Sequence, residues 1–85
     1  MNTLEMASLI KRFLDNKAGM YNAMIFPHPL NTVLFFGMVK CAMRAIGKED
    51  RYAELRRECS EYVRCLINNT EPADIEKAII KLLED

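Results

Sequence analysis

The side chains best suited to chemistry are sparse and poorly grouped. A single histidine, His28, stands between Pro27 and Pro29, where the backbone is stiff and extended and the imidazole is expected to point away from the chain. A histidine general base needs a hydroxyl or thiol to activate, and no serine or cysteine neighbours His28 in sequence. It reads as a turn histidine.

Cys41, Cys59 and Cys65 form an odd set with no closely spaced pair. A structural zinc site shows two such pairs, and Cys59 and Cys65 fall on different faces of one expected helix. No metal is expected. Cys41 and Cys59 lie in apolar patterns and are expected to pack as small hydrophobic residues. That leaves Cys65 as the candidate reactive thiol, although its neighbours Glu61 and Arg64 give no clear stabilisation of a thiolate. Unpaired thiols fit a reducing, cytoplasmic setting.

Gly19, Gly37 and Gly47 are too scattered to form a phosphate-cradling loop. The carboxylates of Glu54, Glu58 and Glu61 alternate with Arg57 and Arg64, a pattern of solvated helix-face ion pairs rather than an acid and base couple. The expectation is a protein that is not an enzyme and holds no cofactor.

The elements that would position any site are helical. Asn2 or Thr3 can cap a first helix to about Asp15, with Leu4, Met6, Leu9, Ile10, Phe13 and Leu14 on its apolar face. Gly19 interrupts the next stretch, which reads as half helix and half loop before Pro27-His28-Pro29 forces a turn. Asn31 or Thr32 can cap a second helix through about Ile46, with Gly47 as its left-handed terminator. Asp50 can cap a third from about Arg51 to Ile67, in which Tyr52, Leu55, Cys59, Tyr62 and Leu66 repeat at helical spacing. Thr70 or Glu71 opens a last helix with Pro72 in its first turn and Ile75, Ala78, Ile79, Leu82 and Leu83 as its stripe. Its acidic end, Glu84-Asp85, meets the negative end of the helix dipole, so some fraying is expected there.

No strand alternation or internal repeat accompanies these signals. The expected fold is all-α, a compact single-domain bundle over residues 1–85 with four main helices and room for a short fifth in the 18–26 region. The 85 residues are 51% hydrophobic and 28% charged, which suits a folded domain. The longest apolar run, Val33 to Met43, is broken by Gly37 and Lys40, so no membrane span is expected. The first residues do not form a signal peptide pattern.

Function is therefore sought on surfaces. The twelve basic and twelve acidic residues cancel, which leaves no global field for nucleic acid or anionic lipid. Valine, leucine, phenylalanine and methionine occupy nearly the whole circumference of the second helix, and the preceding segment is rich in methionine. That is more apolar surface than three other helices readily cover, and uncovered apolar surface marks an interface.

The expected partner-binding residues are Met20, Met24, Phe26, Phe35 and Phe36, with Arg44, Lys48 and Arg51 as a basic rim. The partner is another protein or a second copy of the chain. The alternative is a helix-turn-helix DNA reader built on the turn holding those basic residues. It is disfavoured because Glu49, Asp50, Glu54, Glu58 and Glu61 on the would-be recognition helix repel phosphates.

Overall fold

A computed structural model describes residues 2–84. The first helix, α1, begins where the Asn2 Oδ1 accepts a hydrogen bond from the Glu5 amide at 2.8 Å, satisfying one of the amides that a helix start leaves unpaired. It runs Thr3–Asn22, about two turns beyond the expected stop at Asp15. Gly19 does not break it. Ile10, Leu14 and Ala18 are buried one turn apart on a single face, and that packing outweighs the ~1 kcal/mol that a helical glycine costs. The region expected to hold a short fifth helix is therefore the end of α1.

α1 ends in a Schellman motif. The Ile25 amide donates to the Met20 carbonyl at 2.8 Å and the Met24 amide to the Tyr21 carbonyl at 3.0 Å, with Met24 in the left-handed region at φ 62°. The same two bonds close the next two helices, with Gly47 and Asn69 as the left-handed residues. Gly47 terminates its helix as the sequence predicts. A methionine at this position is unusual, because a left-handed residue with a Cβ is strained where glycine is not.

α2 spans Pro29–Ala45 and starts three residues earlier than an Asn31 cap would have set it. His28 is its cap, with Nδ1 accepting from the Leu30 amide at 3.1 Å, and Pro29 occupies the first turn, where its missing N–H costs nothing. A 3-10 turn at Glu49–Arg51 leads into α3, Tyr52–Ile67. Asp50 lies inside that turn rather than at the cap; Arg51 holds the cap position, with no side-chain hydrogen bond that caps the helix.

α4 is Ile75–Glu84, later than Thr70 or Glu71 would have placed its start. Asp74 accepts from the Lys77 amide at 3.2 Å and so sets the first turn, while Pro72 stays in the preceding linker. The Thr3 hydroxyl donates to the Glu84 carboxylate at 2.5 Å, so the two ends of the described chain meet. Asp85 lies outside the described residues.

Four helices thus build an all-α bundle, with no strand among the described residues. α1, α3 and α4 pack directly on one another, around a core that includes Ile10, Leu14, Leu55, Cys59, Ile79 and Leu83. A polar tie crosses the same interface: the Tyr62 hydroxyl donates to Asp15 at 2.5 Å and the Lys11 ammonium to the same carboxylate at 2.8 Å. α2 is laid against this unit and adds Phe36, Val39 and Met43 to the core. No helix is long and apolar enough to cross a membrane among the described residues.

Candidate protein-interaction surface

α2 has two apolar faces. Inward, Phe35, Phe36, Val39, Ala42 and Met43 recur at three- and four-residue spacing and meet the core. Outward, Leu30, Val33, Leu34, Gly37, Met38 and Cys41 recur with the same spacing on the opposite side and are all exposed. Met38 is 70% exposed and Val33 64%. An amphipathic helix places polar residues on that side, whereas the only charges of α2, Lys40 and Arg44, stand toward its C-terminal end.

The inner face is held by aromatic geometry. Phe35 stacks on Phe13 of α1, and Phe36 meets Phe13 edge-on at 6.0 Å between centroids. Arg56 of α3 covers the other side of the Phe36 ring, its guanidinium carbon 3.9 Å from the centroid, a cation–π contact. Phe36 is only 3% exposed. It is a core residue with no surface to offer a partner, and Phe35 is partly covered by its stacking.

The outer face continues at both ends. Before α2, Met24, Ile25 and Phe26 are exposed, Met24 to 76%, and the Phe26 ring rests edge-on against Tyr21 at 5.7 Å. Met20 is half-buried on α1 and lines a small recess with Phe13 and Pro27. Toward the other end, an apolar groove of about 410 Å³ opens between α1 and α2, walled by Met6, Leu9, Met38, Ala45 and Ile46.

The expected basic residues lie at the opposite end of this face from Met24 and Phe26. Met24 and Phe26 precede the N-terminus of α2, whereas Arg44, Lys48 and Arg51 cluster at its C-terminal end. The intervening 17 residues separate them by roughly 25 Å at 1.5 Å per residue. The Arg44 guanidinium is bonded at 2.9 and 2.8 Å to both oxygens of Glu49. That hydrogen bonding raises the Arg44 pKa and lowers that of Glu49. Arg51 donates to the Leu82 carbonyl of α4 at 3.4 Å, and the Lys48 amide donates to the Met43 carbonyl in the cap of α2. Arg44 and Arg51 thus join the α2–α3 turn to its surroundings, and Arg44 is exposed next to Ala45 and Ile46 at that end of the apolar face.

The thiols also differ from expectation in one respect. Cys59 is buried, and burial pushes its pKa up to about 12, so it is inert as a thiolate. Cys41 is exposed on the outer face of α2 rather than packed, because the core contacts of that helix lie on its opposite side. Cys65 is partly exposed, with its sulfur 3.8 Å from the Glu61 carboxylate. Among the described residues, no three His, Cys, Asp or Glu side chains converge as a metal site would require.

No protein family, curated protein or solved structure matches the chain.

Proposed function

We propose that the protein is a non-enzymatic interaction module whose outer α2 face, extended by Met24 and Phe26, receives an amphipathic helix of a protein partner. The observation that carries this reading is the second apolar stripe of α2. A row at i, i+3, i+4, i+7 spacing on an exposed helix matches the way one helix packs on another. Seven large side chains there and in the preceding segment are each half or more exposed, on the order of the ~800 Å² that one partner contributes to a standard interface.

Two further features support it. Gly37, Cys41 and Ala45 form a row of small residues along the stripe, and a Cβ built at Gly37 meets nothing within 4 Å, so a second backbone can approach closely. Met24 occupies a strained left-handed position with its side chain in solvent. Strain of this kind persists where the side chain has a use, and a flexible thioether adapts well to an apolar partner. The helix-turn-helix alternative draws no support from the α2–α3 turn, where Arg44 is already engaged by Glu49.

Photo-crosslinking in the native cell tests the proposal. A photoreactive residue at Met38 should give a discrete adduct that Val33→Asp abolishes, whereas one at Arg57 on the outer side of α3 should not. Adducts of equal yield from both positions would refute the assigned surface. A self-adduct of doubled mass would identify the second helix as that of another copy.

A further inference from the structure

A second concavity lies between α1 and α3. It is a cleft of about 320 Å³, at the small end of the range for ligand sites. Its floor is apolar, made by Leu14, Phe36, Val63 and Ile67, and its walls carry Lys17, Arg56 and Arg64 together with Ser60, Asn68 and Tyr21. No carboxylate lines it.

The charge balance there is unusual for a neutral protein. Arg64 is satisfied by Glu61. Lys17 donates to the Thr32 hydroxyl at 3.1 Å, and Arg56 lies over the Phe36 ring. Neither of these two cations has a carboxylate partner among the described residues. Burial, and next the charge of Arg56, lower the Lys17 pKa. Lys17 and Arg56 thus share one cleft over an apolar floor, and no carboxylate among the lining residues balances them. An anion placed there would form charge-assisted hydrogen bonds with both.

We infer that this cleft binds a small organic anion, a carboxylate or phosphate monoester whose charged head lies between Lys17 and Arg56 and whose short apolar tail covers Leu14, Val63 and Ile67. The head is fixed by the two cations and by the Ser60 hydroxyl. The 320 Å³ volume fits a short chain or a single ring. The outer α2 face lies across the helix from Phe36, and the cleft adjoins the extension of that face at Tyr21, whose ring packs on Phe26.

The test is an NMR titration of the full chain with hexanoate, hexyl phosphate and, as the neutral control, hexanol. Saturable shifts at Lys17, Ser60, Val63 and Ile67 are expected from one or both anions, at least about tenfold tighter than from hexanol. The preferred anion distinguishes a carboxylate from a phosphate ligand. Arg56→Gln should weaken binding about tenfold and Arg56→Lys should restore much of it.

Because Arg56 also packs on Phe36, Ser60→Glu supplies a variant at an exposed position. Its carboxylate, one turn from both Arg56 and Arg64, should occupy the cations, abolish anion binding and raise thermal stability. Equal binding of hexanol and the anions, shifts confined to the α2 face, or unchanged affinity in folded Arg56→Gln and Ser60→Glu would each overturn the inference.

Discussion

The rings of Phe13 and Phe35 lie face to face, their centroids 4.0 Å apart and their planes 3° from parallel. This stack, with Phe36 edge-on to both rings, fastens α2 to α1 and decides which of the two apolar faces of α2 turns inward. Phe35→Ala should cost about 2 kcal/mol, less than the 3–5 kcal/mol of a fully buried phenylalanine, because Phe35 is only partly covered. Hydrogen exchange should show the loss concentrated in the α2 amides, with α1, α3 and α4 less affected.

Left-handed Met24 separates stability from function. Met24→Gly should stabilise the protein by about 1 kcal/mol in urea unfolding, since glycine relieves the strain at this position, yet it should reduce crosslinking from Met38. Most interface variants lose stability or leave it unchanged, so a gain in stability with a loss of binding would be diagnostic.

The glycines should respond in opposite directions. Gly37→Ala fills open space in a helix interior and should stabilise by about 0.5–1 kcal/mol. Gly47→Ala must hold a Cβ at φ 74° and should destabilise by about 1 kcal/mol. Chemical denaturation of the two variants checks both signs.

The tie between Tyr62 and Asp15 has a defined pH dependence. Burial alone would raise the Asp15 pKa, but hydrogen bonds from Lys11 and Tyr62 and the Lys11 charge together hold it below its ordinary 3.8. A carboxyl with a depressed folded pKa contributes stability above its unfolded pKa and loses it as pH falls through the folded value. Tyr62→Phe should therefore cost about 1 kcal/mol at pH 7, and its difference from the parent should shrink as pH drops below about 4. Urea titrations at pH 7 and pH 2.5 measure both.

Much of the fold was legible because the apolar residues of α3 and α4 repeat on one face and their pattern survives packing. Gly47 likewise announced its turn. The boundaries that shifted did so for reasons outside local propensity. Gly19 was carried by the burial of Ala18, and His28 proved to be a cap because its Nδ1 can accept from the Leu30 amide. Met24 has no sequence signal, since a methionine is not a residue that predicts a left-handed turn.

The site was less legible. Composition shows that α2 is apolar all round, but only the stack of Phe35 on Phe13 distinguishes core from surface. Phe36 and Met38 are chemically similar in the sequence and lie on opposite sides of the helix. The cationic cleft carries no sequence signal, because Lys17 and Arg56 are distant in sequence and each resembles an ordinary surface charge.

The outer α2 face as a binding surface is tested most directly by methionine oxidation in the native cell extract and in dilute purified protein. Met24 and Met38 are exposed reporters on that face, and fully buried Met43 is the internal reference. The account predicts that Met24 and Met38 oxidise rapidly in the purified protein and are protected together in the extract, with Met43 slow in both. Equal oxidation rates for Met24 and Met38 in the two settings would contradict it.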